Sequence, residues 1–156
     1  MRVALDTNIL AYAEGIGDSA RQLASLDLIR MLPPALVVIP AQCLGELFRL
    51  LTGKARRDAA SAQEAVLGWA DAYEPAAGTW TAFQSAMGAA VNHRLQVWDA
   101  LILAVAVEQR CRVLFSEDLQ HEFTWHGLTV VNPYKEPPHH LLRTLLTDTD
   151  MQRARF

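Results

Sequence analysis

Cysteine is scarce in this chain, and so are glycine motifs, positive charge and long apolar runs. The two cysteines, Cys43 and Cys111, form no Cys-x-x-Cys pair. That excludes a disulfide framework and leaves no paired thiols for zinc. Cys43 falls in a helical pattern and Cys111 just ahead of an apolar run, and both read as small buried hydrophobes. No stretch reaches the roughly 18 uncharged apolar residues that a membrane span needs. The opening run from Met1 is cut at Asp6, too soon for a signal peptide, so a cytoplasmic protein is expected. No Gly-x-Gly-x-x-Gly follows the first apolar run, which leads instead into Leu5-Asp6-Thr7-Asn8. A dinucleotide-binding module is thereby disfavoured. The net charge is −3. This lacks the basic excess usual in nucleic-acid binders, but carboxylates gathered around a cation would themselves acidify a small protein.

What remains is an ordinary globular composition: 156 residues, 51% hydrophobic and 20% charged, enough for one domain. Val3-Ala4-Leu5, Leu36–Ile39, Val113-Leu114-Phe115 and Leu128–Val131 are short continuous apolar runs. Such runs suit parallel strands covered on both faces. A weaker fifth strand is expected near Asp71 to Glu74, before Pro75. Between the runs lie helical patterns at 18–32, 41–52, 57–72, 79–92 and 97–110. The first carries Leu23, Leu26, Ile29 and Leu32; the second carries Leu44, Leu47, Phe48 and Leu51. The 97–110 pattern is apolar nearly all round and predicts a buried helix. This alternation predicts an α/β domain, three layers deep (α/β/α), with a mainly parallel central sheet of four or five strands. The domain is expected to span 1–134. Residues 135–156 form a partly helical extension, amphipathic over His139 to Leu146 and frayed from Asp148 to Phe156.

Ligands of open α/β sheets bind outside the carboxyl ends of the strands. Asp6 directly follows the first strand, and Asp118 follows Val113–Phe115 by three residues. Glu46 and Asp99 stand early in helices that start from the same edge. Each has an ordinary alternative. Asp6 suits a helix N-cap, Glu46 a solvated position off the apolar stripe, Asp99 a first-turn charge, and Asp118 or Glu117 a loop. Brought together on one cleft, they would repel: one like-charge pair at roughly 4 Å costs about 4 kcal/mol at an effective dielectric of about 20. A hard divalent cation relieves that repulsion, and an all-oxygen donor set favours Mg²⁺ or Mn²⁺ over Zn²⁺.

The pattern resembles the PIN-domain family. The similarity rests on Leu5-Asp6-Thr7-Asn8, on Glu46, on Trp98-Asp99-Ala100-Leu101-Ile102-Leu103-Ala104 and on Ser116-Glu117-Asp118-Leu119-Gln120. It closes on Val130-Val131-Asn132-Pro133-Tyr134 and covers about residues 2–134. The size is similar to that of VapC-type toxins of toxin–antitoxin modules. The resemblance implies a metal-dependent endoribonuclease. Asp6, Glu46, Asp99 and Asp118 are then the catalytic acids, with Asp6, Asp99 and Asp118 on the metal. Thr7, Asn8 and Ser116 match supporting polar positions, and Glu117 shares or replaces part of the role of Asp118. It also implies an RNA substrate, a cognate antitoxin and a homodimer, with 18–32 and 41–72 as candidate antitoxin contacts. One departure is that His121-Glu122-Phe123 stands where a glycine often follows Glu-Asp-Leu-Gln.

Arg49, Lys54, Arg56 and Arg57 are candidate phosphate contacts, with a solvated charged loop as the alternative. Trp80, Trp98 and Trp125 are assigned to the core rather than to base stacking. The five histidines are scattered, which disfavours metal-free cleavage by a His acid–base pair. A dehalogenase-like phosphatase would need an acid where Asn8 stands. The remaining rival is a PIN-like RNA- or protein-binding module without catalysis.

Overall fold

The computed structural model describes the backbone of residues 1–153 and the side chains of residues 1–147. The order is β1 (Val3–Leu5), α1 (Thr7–Ala13), α2 (Ser19–Met31), β2 (Val37–Pro40), α3 (Ala41–Gly53) and α4 (Ala59–Ala72). It continues with β3 (Glu74–Ala76), α5 (Trp80–His93), α6 (Val97–Glu108), β4 (Val113–Phe115), β5 (Thr124–Trp125), β6 (Leu128–Val131) and α7 (His140–Arg153). The six strands lie in the order β3-β2-β1-β4-β6-β5. All pair in parallel except β5, which is antiparallel to β6. The α/β class and mostly parallel sheet agree with the expectation.

The four apolar runs became the four central strands, and β1, β2 and β4 are buried along their whole length. Strand order reverses between β1 and β4. The chain first winds outward through β2 and β3, then returns to the other side of β1. Right-handed crossovers therefore place α1–α4 on one face and α5–α6 on the other. Helix α6 fills its face with an unbroken buried run from Ala100 to Ala106. Leu142 and Leu145 of α7 join the same core. No helix among the described residues is long and apolar enough to cross a membrane.

Several details differ from the sequence expectation. The sheet has six strands rather than four or five. Strand β3 runs through Pro75 rather than stopping before it, which the ladder tolerates because β3 is an edge. The extra strand β5 is a two-residue hairpin arm, too short for any periodicity. His126 and Gly127 turn it with φ of 46° and 82°, the handedness that two-residue hairpin loops require. Helix α1, only seven residues long, gave no pattern either. Helix α2 buries Ser25 and Leu28 and leaves Leu23 61% exposed, so the expected stripe is rotated. Helix α3 turns Cys43 inward and leaves Phe48 partly exposed. Trp80 and Trp98 are exposed, not core. Helix α7 is longer than the piece expected at 139–146. The fraying expected from Asp148 to Phe156 falls, beyond Arg153, outside the described residues.

Candidate functional site

The point where strand order reverses is where an open α/β sheet presents a crevice. Here that crevice lies beyond Leu5 of β1 and Phe115 of β4, joined by the Asp6 N–H donating to the Phe115 carbonyl at 3.0 Å. Asp6 caps α1, and its Oδ1 accepts from the Thr7 N–H at 2.7 Å. Its Oδ2 accepts from the Ser116 hydroxyl at 2.6 Å and the Asn8 amide at 3.0 Å. The Cys43 thiol donates to Oδ1 at 3.8 Å, a long sulfur contact. Asp6 is thus both a helix cap and the centre of a buried polar network.

The other acids arrive from both layers of helices. Glu46 of α3 accepts from the Thr7 hydroxyl at 2.7 Å and from the Gln42 amide at 2.9 Å. Gln42 also donates to the Trp98 carbonyl at 3.1 Å, tying α3 to the first turn of α6, where Asp99 stands. Turning its NH₂ to both partners leaves Gln42 Oε1 buried without a hydrogen-bond partner among the described residues. Asp118 is exposed and accepts from Asn8 Nδ2 at 3.2 Å, so one amide bridges Asp6 and Asp118. A cleft of about 370 Å³ opens over Thr7, Asn8, Glu46 and Asp118, with Arg49 and Lys54 on its wall.

Electrostatics mark the same place. Burial pushes the Asp6 carboxyl up from 3.8 to about 6, and the nearby Asp118 and Glu46 charges push the same way. Hydrogen bonds from Ser116 and Thr7 pull only part of this back. Burial also raises Asp99, and Glu46 and Asp118 raise it further. The field of like charge therefore links Asp6 and Asp99 through the two acids they share. Burial and like charge are thus what raise both carboxyls, the setting that a bound cation would relieve.

The residues fit a hard divalent ion in an open site. Among the described residues, no three Asp, Glu, His or Cys side chains are arranged to hold an ion alone. Mg²⁺ accepts such a setting, since one or two carboxylates, waters and substrate phosphate complete its shell. Both oxygens of Asp6 are engaged, so direct ligation runs through Oδ1 and requires the long Cys43 thiol contact there to give way. Asp118 is open to solvent and Asp99 is half-buried.

Not every expected residue reaches the cleft in the expected way. Glu117 turns aside and accepts from Tyr12 and Arg21. Burial raises its carboxyl, but those hydrogen bonds and the Arg21 charge more than offset this and leave it below the usual range. Of the basic residues, Arg49 and Lys54 line the cleft, Arg56 is exposed in a left-handed turn, and Arg57 is paired with Glu14 at 2.7 Å. His121 accepts the Asn132 N–H through Nδ1 and braces the turn after β6. Glu122, near the position where glycine is common, has φ +66°, a left-handed backbone that glycine adopts most easily. Sequence reading missed Gln42, Tyr12 and Arg21, and gave Cys43 only a packing role. Their partners lie far along the chain, and only Gln42, four residues before Glu46, carried a local signal.

Comparison with known proteins agrees with this fold. The family model described as PIN domain matches residues 3–123. No curated protein sequence matches the chain. Among solved structures, Mycobacterium tuberculosis VapC20, a Sarcin-Ricin loop cleaving toxin, aligns with a TM-score of 0.62 at 22% identity, over 74% of this chain and 89% of that one. A toxin–antitoxin complex from Klebsiella pneumoniae aligns at 0.65 and 20% identity, over 85% of this chain and 98% of its own. VapBC2 from Rickettsia felis, bound to a DNA fragment from its promoter, aligns at 0.61 and 16% identity, over 83% and 97%. At these identities the likeness is one of fold.

Proposed function

The chain belongs to the PIN domain family, and from that premise we propose that it is a metal-dependent endoribonuclease, the toxin of a toxin–antitoxin pair. One observation carries the reading. Glu46 of α3 and Asp118 of the turn after β4 line one cleft at the strand-order reversal, and their like charge, added to burial, raises Asp6 just after β1 and Asp99 in the first turn of α6. Members of this family are typically nucleases, and several fold neighbours are toxin–antitoxin complexes.

In this reading Asp6, Asp99 and Asp118 hold Mg²⁺ or Mn²⁺, directly or through its waters, and Glu46 completes the acidic set. A bound ion supplies charge stabilisation for the phosphoryl group and lowers the pKa of water. The protein does the positioning. Ser116 and Asn8 fix the rotamer of Asp6. Thr7 and Gln42 hold Glu46 turned toward the cleft. Arg49 and Lys54 on the cleft wall contact backbone phosphates beside the scissile one. Cleavage leaves a 5′-phosphate and a 3′-hydroxyl. Residues 1–134 form the nuclease domain and 135–156 a C-terminal extension, packed on or trailing from it. The protein acts in the cytoplasm as a homodimer, silenced by a cognate antitoxin.

The test is incubation of the purified protein with RNA. Cleavage is expected with Mg²⁺ or Mn²⁺, none in EDTA, and none for Asp6→Asn at any metal concentration. RNA binding without cleavage in either metal would instead identify a non-catalytic binding module.

A further inference from the structure

Glu117 sits beside Asp118 and, in sequence, competes with it for the same role. The structure separates them. The Glu117 carboxylate accepts from the Tyr12 hydroxyl at 2.5 Å and from Arg21 Nη2 at 2.5 Å, 96 residues away on α2. The Arg21 guanidinium lies over the Tyr134 ring, 4.6 Å from its centroid, and Tyr12 meets that ring edge-on at 5.7 Å. The Tyr134 hydroxyl pairs with Ser25 Oγ at 2.6 Å, and Ser25 donates to the Arg21 carbonyl at 2.8 Å. The Glu117 side chain is thus gripped by α1 and α2, with the segment after β6 behind them.

Its backbone reaches the acids. The Glu117 N–H donates to Asn8 Oδ1 at 3.2 Å. With its carbonyl oxygen so occupied, the Asn8 amide must turn its NH₂ to Asp6 Oδ2 and Asp118 Oδ2, at 3.0 and 3.2 Å. A flipped Asn8 would present an oxygen to two carboxylates. The neighbouring Ser116 Oγ accepts from the Leu119 N–H at 3.2 Å while donating to Asp6. One short turn, 116–119, therefore sets the orientation of the Asn8 amide and the place of Asp118.

We propose that Glu117 is a positioning residue rather than a metal ligand: its grip on Arg21 and Tyr12 locks the turn that carries Asp118 and orients Asn8 between the acids. Helix α2 thereby governs how tightly the crevice holds its cation. This rests on the nuclease reading of the site. Partners behind a ligand shell typically change metal affinity or activity by about 10- to 100-fold.

The experiment combines Mn²⁺ titration with a readout that needs no metal, amide hydrogen exchange at Glu117. Arg21→Ala and Glu117→Ala are each expected to weaken Mn²⁺ binding by about tenfold. The double variant should be no weaker than either alone, because both break one grip. Arg21→Lys, which keeps the charge and a donor, should recover part of the loss. In Arg21→Ala the Glu117 N–H should exchange faster while the β1 and β4 amides keep their protection. A large loss in Glu117→Ala with none in Arg21→Ala would make Glu117 a ligand and overturn the proposal. Faster exchange with unchanged Mn²⁺ affinity would reduce the grip to a structural strap and overturn it too. Failure of the wild-type protein to bind Mn²⁺ would refute the nuclease reading itself, and exchange at Glu117 would still report whether the grip exists.

Discussion

The two ends of the sheet handle charge in opposite ways. At the amino end, Arg2 pairs with Glu74 at 2.7 Å, opposite signs meeting where both reach solvent. At the carboxyl end, Asp6, Thr7, Asn8 and Ser116 are buried, and Asp6 shares its surroundings with Asp118 and Glu46, all of one sign. The first arrangement is what folding alone favours, a charge paired with its opposite. The second works against folding, since burial and like charge both raise the Asp6 carboxyl, and it is where the proposed cation would bind. Like-charged acids gathered at one end of a well-packed sheet mark a candidate site better than any single acid does.

This contrast can be broken at its acidic end first. Asp99→Asn removes one negative group from the crevice and is expected to lower RNA cleavage by about 100-fold or more. Thermal stability without metal should stay level or rise, since a like charge is lost. A fall in stability with cleavage intact would show that Asp99 serves folding.

The second test is pH. The folded-state carboxyl of Asp6, at about 6, lies above its ordinary 3.8. The stability it contributes is fully present below about pH 4 and is lost as pH rises through about 6, a swing of up to about 3 kcal/mol. Asp99 shifts in the same direction. Urea unfolding of the metal-free protein from pH 4 to 7, compared with Asp6→Ala, isolates the effect. Mg²⁺ at pH 7.5 should restore stability by binding only the folded form. The same pH dependence in Asp6→Ala would remove Asp6 as its source.

Strain beside the site gives a smaller effect. Glu122→Gly relieves a left-handed backbone and is expected to stabilise by up to about 1 kcal/mol in thermal unfolding. Destabilisation instead would mean that the Glu122 contacts with His121 and His139, at 4.0 and 3.8 Å, outweigh the backbone. Smallest of all, Arg2→Ala at the opposite end should cost under about 1 kcal/mol and leave cleavage unchanged. A loss of activity there would erase the distinction between the ends.

Much of this was legible from the chain itself. Continuous apolar runs gave the central strands because both faces of the sheet are covered. Asp6 was visible as an acid directly after such a run, and Asp99 as a charge opening a helix with almost nothing else polar in it. Glu46 and Asp118 were found by their place on the same edge. What stayed hidden depended on distant partners or on very short elements. Helix α1 has seven residues, too few for two turns of periodicity. Phe48 and Leu23 fitted an apolar stripe but point outward, because Cys43 and Ser25 occupy the inward positions through bonds to Asp6 and Tyr134. Whether Glu117 or Asp118 faced the crevice turned on Arg21 and Tyr12, which no local pattern links to either.

Paramagnetic broadening by Mn²⁺ tests most directly whether the crevice between β1 and β4 holds a cation. Substoichiometric Mn²⁺ added at pH 7.5 should broaden the backbone amides of Thr7, Asn8, Ala100 and Asp118 first. Those of Arg2 and Glu74 should stay sharp, and Asp99→Asn should abolish the selectivity. Equal broadening at both ends of the sheet, or a pattern unchanged in Asp99→Asn, would contradict a cation site at that crevice.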